Sequence, residues 1–258
     1  MSKRIAWEKN WLKAHGWSQH EIEALEKSDN EMPVEYLTGA AEFLNLKLIV
    51  NQNVLIPRLE TEQLVSLVIN ELKEEASLTN KSATQQNESV KVIEAGTGSG
   101  AIAVAIAPEL NGKLLAIDIS EEALEVAKKN VGRYNLHEKI ELRKNDLLAD
   151  IDWQNLNLSA SYYLIANLPY IPQNDLKTLQ RSVRDFEPEL ALDGSIDGFS
   201  VIRRLLQQVS NLTHKPSKIF LEIDPSHDQK FFAEFTLYEW RWQNDFWGTK
   251  RFAIGTRK

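Results

Sequence analysis

A short β-branched run, Val90-Lys91-Val92-Ile93-Glu94, leads directly into Ala95-Gly96-Thr97-Gly98-Ser99-Gly100-Ala101, and an apolar series at Ile102, Val104, Ala105 and Ile106 follows. This order of strand, glycine loop and helix constrains the fold more than any other feature of the chain. Glycines permit positive φ and let the backbone come close to a ligand. The pattern implies an open α/β sheet in which strands and helices alternate, with a ligand beyond the strand ends. The spacing also fits G-x-G-x-x-A, so the loop does not by itself separate a dinucleotide from S-adenosylmethionine.

The next apolar run, Lys113 to Ile117, ends in Asp118, 18 residues after Gly100. A carboxylate at the end of the second strand suits a ribose diol, because it accepts from both hydroxyls. NAD and S-adenosylmethionine share that ribose. Ser120 reads as the cap of a helix with Glu121 and Glu122 in its first turn, Lys128 and Lys129 in its last, and Leu124, Ala127 and Val131 facing inward. A third strand, Ile140 to Arg143, leads to Asn145-Asp146-Leu147. Asp146 is placed to accept from an adenine amine, with Leu147 over the ring; Asn-Asp is also ordinary turn chemistry.

The fourth strand, Tyr163 to Ala166, ends in Asn167-Leu168-Pro169-Tyr170. Asn-x-Pro-Tyr at a strand end suits the holding of a planar –NH2 group, a poor nucleophile whose lone pair is delocalised. The Asn167 side-chain oxygen and the Leu168 carbonyl can accept its two N–H bonds, Pro169 stiffens the turn, and the Tyr170 ring can stack on the planar group. A strand closed by an Asn cap and a Pro turn is the structural alternative. A hydride-transfer enzyme has no need of this tetrapeptide and usually needs a proton donor. The five histidines (15, 20, 137, 214 and 227) lie near no motif and read as surface residues. The pairing of the two motifs therefore favours S-adenosylmethionine over a nicotinamide.

Composition narrows the class further. The chain has no cysteine, which removes disulfides, thiolate metal sites and thiolate nucleophiles, and with them the pyrimidine C5 methyltransferases. The net charge of −7 argues against a broad nucleic-acid footprint. No metal-ligand spacing is visible, and direct methyl transfer needs no metal. No run approaches a membrane span and the N-terminus does not read as a signal peptide, so a cytoplasmic enzyme is expected.

Beyond the two motifs, the chain resembles the release-factor glutamine methyltransferases, the PrmC/HemK family. Pro33-Val34-Glu35-Tyr36-Leu37-Thr38-Gly39, Glu42-Phe43 and Val54-Leu55-Ile56-Pro57-Arg58-Leu59-Glu60-Thr61-Glu62 are similar to the family's P-x-x-Y-L-x-G…E-F…L-I-P-R-P-E-T-E segment. Glu187-Pro188 and Ala191 to Gly198 resemble its E-P…A-L-x-G-G-x-D-G stretch, and Phe220-Leu221-Glu222-Ile223 its fifth strand. The resemblance covers residues 33 to 258. It implies a class I, Rossmann-like α/β methyltransferase with a mainly parallel seven-stranded sheet, plus a small helical N-terminal region and a linking β-hairpin. The corresponding division is residues 1–58 and 59–258.

It further implies methyl transfer from S-adenosylmethionine to the glutamine of the Gly-Gly-Gln motif in class I peptide chain release factors. Asn167 and Tyr170 would be catalytic. Gly96, Thr97, Gly98, Ser99, Gly100, Asp118, Asp146, Leu147 and Asn167 would hold the cofactor, and Asn167 to Tyr170 the substrate. Two departures stand out. Leu168 replaces the usual proline, at a cost of about 1 kcal/mol in loop pre-organisation; Asn-Leu-Pro-Tyr is also the usual form in ribosomal-RNA adenine dimethyltransferases. The segment before Pro33 is shorter than the family's N-terminal helical domain, which is expected to alter substrate docking. An adenine N6 methyltransferase acting on RNA or DNA, and a non-catalytic S-adenosylmethionine-binding module, are the alternative readings.

The remaining elements follow from periodicity. Residues 1 to 31 read as one or two helices, with Trp7, Trp11 and Ala14 on one packing face and Ile22 and Leu25 on another. Phe43 to Ile56 reads as a strand pair bent at Asn51-Gln52-Asn53. Thr61 to Glu75 is a helix, Ser77 to Ser89 a polar surface loop, and Val201, Leu205 and Val209 mark another helix. Ser217 to Ile223 is a strand, and the tail from Trp240 to Arg257 a final antiparallel hairpin.

Overall fold

The computed structural model describes residues 4–28, 30–78 and 89–258. Most of the expected polar loop, residues 79–88, lies outside the described residues. The chain opens with three helices, α1 (Ala6–Ala14), α2 (Gln19–Lys27) and α3 (Val34–Thr38). Ser18 caps α2: its Oγ accepts from the Glu21 amide at 3.3 Å, and the Glu21 carboxylate accepts from the Ser18 amide at 2.8 Å. Leu12, Ile22, Leu25 and Val34 form a small core of their own. The packing residue of α1 is therefore Leu12. Trp7 is half exposed, and Trp11 lies at the edge, donating from Nε1 to Thr38 Oγ1 at 3.0 Å.

A hairpin follows, β1 (Ala40–Phe43) and β2 (Leu46–Ile49). It turns at Leu44-Asn45, with Leu44 at a φ of 53°, and not at Asn51 to Asn53. The later segment makes a separate turn in which Asn51 Oδ1 accepts from the Asn53 amide at 3.0 Å. A leucine in the left-handed region carries no turn signal, whereas the Asn-rich stretch does.

Next come α4 (Leu59–Leu78), β3 (Val90–Ala95), α5 (Ala101–Ile106), β4 (Lys113–Asp118), α6 (Glu121–Arg133), β5 (Ile140–Lys144) and β6 (Leu158–Ala166). The chain closes with α7 (Arg181–Arg184), α8 (Ser200–Asn211), β7 (Lys218–Glu222), α9 (Gln229–Phe232), β8 (Tyr238–Asn244) and β9 (Lys250–Arg257). The seven-stranded sheet has the order β5-β4-β3-β6-β7-β9-β8, and β9 runs opposite to the other six strands. Its central strands are apolar along their length because both faces are covered. Ile93, Leu115, Leu164 and Leu221 pack beneath α8, while Val92, Ala116, Ile165 and Phe220 pack beneath α4 and α5.

This topology makes the site. From β3 the sheet grows outward to β4 and β5, then the chain returns to the other side of β3 as β6. The β3/β6 boundary is the switch point, where a crevice opens beyond the strand ends. Helix α6 joins the parts around that crevice. Its inward face is Ala123, Val126, Ala127, Asn130 and Val131, so Ala127 and Val131 face inward as expected while the stripe rotates from Leu124 toward Ala123 and Val126. The rotation follows from a second partner, since Ala123 and Val126 pack on Ala41, Val50, Val54 and Ile56 around the hairpin. The fully buried Asn130 donates to Ile49 O at 2.9 Å and Ser99 O at 2.8 Å, and accepts from the Ile49 amide at 2.7 Å. One side chain thus satisfies backbone groups of both the hairpin and the glycine loop.

Candidate functional site

A cleft of about 820 Å³ lies over the switch point. Its wall includes Gly96 to Ser99, Asp118, Asp146, Leu147 and Asn167 to Pro169, so the motif residues from four strand ends converge. Gly96, Gly98 and Gly100 take φ values of 76°, 54° and 79°. The loop is anchored by the Gly96 and Thr97 amides, which donate to Ile117 O at 2.8 and 2.9 Å. A Cβ on Gly96 would come within 2.8 Å of Leu168 Cδ2, so the glycine lets the tetrapeptide close onto the loop. Leu168 is itself buried in the core. Its side chain therefore has a packing role that loop pre-organisation alone does not capture.

Asp118 is nearly buried, and each oxygen already accepts one backbone bond: Oδ2 from Gly98 N at 2.8 Å, Oδ1 from Ser120 N at 2.9 Å. Burial raises its pKa against the pull of those amides. Each oxygen keeps a lone pair for a ligand hydroxyl. Glu94 lies beneath the loop, fully buried on the cleft wall. Its Oε2 accepts from Thr97 Oγ1 at 2.8 Å, while Oε1 has no hydrogen-bond partner of good geometry among the described residues. Desolvation pushes this carboxyl up to about 8. A buried carboxyl with unused acceptor capacity on a cleft wall is suited to a cationic ligand group.

Asp146 and Leu147 also line the cleft, with Leu147 in the left-handed region at φ 52°. Both Asp146 oxygens are held by the Arg204 guanidinium of α8, at 2.8 and 3.1 Å. Nothing in the sequence signals this fork, since Arg204 reads only as the polar face of a helix.

At the end of β6, the Asn167 amide donates from Nδ2 to Thr61 Oγ1 at 2.9 Å. Thr61 in turn donates to Glu222 Oε2 at 2.8 Å, and Tyr170 donates from its hydroxyl to Glu222 Oε1 at 2.9 Å. Glu222 stands at the end of β7, almost fully buried, and desolvation raises its pKa to about 7. Tyr170 does not line the cleft: its ring lies 6.0 Å from the Arg251 guanidinium, and burial raises its pKa. The segment after it is clamped by Glu187 to Gly198. Ile171 N donates to Leu192 O at 3.1 Å and Gly194 N returns to Ile171 O at 2.9 Å. Arg58, just before α4, forms an ion pair with the buried Glu187. The two sequence stretches that carry the family resemblance are thus in contact beside the tetrapeptide. His227, expected at the surface, is fully buried against Phe199 and Phe231, with Nε2 3.3 Å from Asp197 O. It packs this loop and lines no part of the cleft.

A family profile described as "Methyltransferase domain" matches residues 92–188. Among curated proteins, the release factor glutamine methyltransferase of Moorella thermoacetica is 37% identical over 208 residues, 80% of this chain and 67% of that protein. The chain belongs to the release factor glutamine methyltransferase family. The Streptococcus pneumoniae member is 37% identical over 74% of this chain and 61% of its own length. The human protein named MTRF1L release factor glutamine methyltransferase is 31% identical over 77% of this chain and 57% of its own length. The chain thus spans under two thirds of several curated relatives. Solved structures show the same fold at low identity. A ribosomal protein L11 methylase from Lactobacillus delbrueckii subsp. bulgaricus has a TM-score of 0.52 at 20% identity, covering 81% of this chain and 84% of that one. The N-terminal domain of human METTL16, solved in complex with SAH, has a TM-score of 0.54 at 14% identity, covering 81% and 75%. No helix among the described residues is long and apolar enough to cross a membrane.

Proposed function

We propose that this chain transfers the methyl group of S-adenosylmethionine to the side-chain amide nitrogen of the glutamine in the Gly-Gly-Gln motif of class I release factors, in the cytoplasm. One observation carries the reading. Asn167 has its Nδ2 committed to Thr61, which leaves Oδ1 as an acceptor beside the glycine loop. A group that presents N–H bonds and a delocalised lone pair is what such an acceptor orients. Asn167 Oδ1 and the Leu168 carbonyl would take the two amide N–H bonds and aim the lone pair, while Pro169 limits the turn. The nitrogen turns acidic only as it gains the methyl, so no strong base is needed.

The cleft residues fit the methyl donor. Asp118 would accept from the ribose hydroxyls, the loop from Gly96 to Gly100 would admit the donor's backbone-like portion, and Glu94 would face its ammonium. Asp146, steadied by Arg204, and Leu147 would bound the adenine. Bound there, S-adenosylmethionine supplies a methyl on a sulfonium, electrophilic without a metal. A flipped adenine needs a stacking platform, and Tyr170, whose ring was the candidate for one, is turned to Glu222 and away from the cleft wall.

The direct test incubates the protein with labelled S-adenosylmethionine, a class I release factor and ribosomal RNA together. Label on the release-factor glutamine is expected; label on RNA alone overturns the reading. A second expectation concerns pH. Glu94 is largely neutral below its pKa of about 8, and a neighbouring ammonium favours the carboxylate. Binding therefore releases a proton, and affinity for S-adenosylmethionine should rise by up to about tenfold from pH 6 to pH 7. Glu94→Gln should flatten that slope. Calorimetry at the two pH values, showing equal affinity for the unsubstituted protein, would discard the assignment of Glu94 to the ammonium.

A further inference from the structure

We infer that Thr61 and Glu222 are positioning residues that set the direction of the Asn167 amide, so that its oxygen and not its nitrogen faces the substrate. The inference rests on the methyl-transfer reading given above. An Asn side chain has two nearly isosteric ends, one an acceptor and one a donor. If the amide turned over, it would present N–H bonds to the N–H bonds of the substrate amide and repel it. Something must break that symmetry, and the chain of bonds beneath Asn167 does.

Polarity runs one way along it. The Glu222 carboxylate accepts at both oxygens, from Thr61 Oγ1 at 2.8 Å and from Tyr170 Oη at 2.9 Å. The single Thr61 proton is spent on Glu222, so toward Asn167 the hydroxyl oxygen acts as an acceptor. Nδ2 of Asn167 fills that position at 2.9 Å, and Oδ1 is directed elsewhere. Glu222 is 1% exposed and sits at the end of the strand paired with β6, so water does not compete for these bonds. Its other oxygen holds Tyr170, three residues along the same tetrapeptide. The carboxylate therefore fixes both ends of Asn167 to Tyr170 from behind.

Keeping this carboxyl ionised, against the burial that raises its pKa to about 7, costs stability, and replacement by apolar residues is often tolerated by a fold that needs only packing. A directional role explains the acid. A glutamine at 222 would offer one acceptor and one donor. With its donor toward Thr61, the hydroxyl proton would point at Asn167 and favour the inverted amide.

The test uses Thr61→Val, Thr61→Ser and Glu222→Gln in the full chain. Single-turnover methyl transfer to a release factor, affinity for S-adenosylmethionine, and melting temperature are measured for each. Thr61→Val keeps the shape without the hydroxyl, and should lower the transfer rate about tenfold while release-factor KM and cofactor affinity stay within about twofold. Glu222→Gln, whose donor can face either Thr61 or Tyr170, should lower the rate by no more than Thr61→Val does, and Thr61→Ser should recover most of the rate. The side-chain NH2 signals of Asn167, assigned by their absence in Asn167→Ala, provide a reading independent of substrate. They should shift in Thr61→Val and Glu222→Gln and keep their place in Thr61→Ser. If the unsubstituted protein labels no release factor, the function reading fails, and the NMR shifts alone decide the positioning role. Unchanged Asn167 signals in Thr61→Val, or transfer at the full rate by that variant, would overturn the inference.

Discussion

Asn167→Ala is expected to lower single-turnover methyl transfer about a hundredfold or more, since a misplacement of about 1 Å at a reacting centre already costs that much. The damage should fall on the chemical step. Asn167 is partly exposed at the cleft, and among the described residues its side chain bonds to Thr61 alone. Its loss therefore frees one polar hydroxyl and leaves no large void, for a stability cost of about 1 kcal/mol. Affinity for S-adenosylmethionine should change much less than turnover, because the Gly96–Gly100 loop, Glu94 and Asp118 belong to other strand ends. The opposite pattern, a normal rate with a lowered melting temperature, would reduce Asn167 to a cap on the strand turn. Rapid-quench transfer assays beside thermal melts separate the two.

How much of this site was legible in the sequence depends on the range of the interactions. The glycine loop, the acid at the end of the second strand, and the tetrapeptide are local patterns, and the structure brings Gly96, Asp118, Asp146 and Asn167 onto one cleft. The seven strands were legible for the same reason: buried parallel strands are short apolar runs, and the terminal hairpin alternates. Where a residue faces was less legible. The inward stripe of α6 rotates because the helix serves a hairpin as well as the sheet, and the hairpin turns on Leu44, which has no turn propensity to read.

The Thr61–Glu222–Tyr170 arrangement lay furthest from view. Thr61 and Glu222 are 161 positions apart, and Asn167 and Thr61 are 106 apart. Both Thr61 and Glu222 belong to stretches that carry the family resemblance, yet resemblance marks them without saying what they do. Only the pairing of β6 with β7, and the start of α4 above them, puts a hydroxyl between the amide and the acid. The same contact redirects Tyr170, whose ring reads in the sequence as a stacking surface and whose hydroxyl in the fold is spent on Glu222.

Asp118→Ala should weaken S-adenosylmethionine binding by about 1.5–3 kcal/mol, the range for hydrogen bonds to a charged group, or about tenfold to a hundredfold in Kd. The structure adds a second source of loss. Asp118 Oδ2 holds the Gly98 amide and Oδ1 the Ser120 amide, so the carboxylate shapes the glycine loop and the start of α6 before any ligand arrives. Removing it unties Gly98 at φ 54°, and the loop loses pre-organisation that binding must then supply. Asp118→Asn distinguishes the two contributions. It keeps one acceptor for a backbone amide and turns the other end into a donor, which cannot accept from Gly98 and Ser120 together. Its affinity should fall between the unsubstituted protein and Asp118→Ala, with a smaller drop in melting temperature. Equal affinity for S-adenosylmethionine in all three proteins, measured by calorimetry, would remove Asp118 from the ligand site and leave it as a brace for the loop.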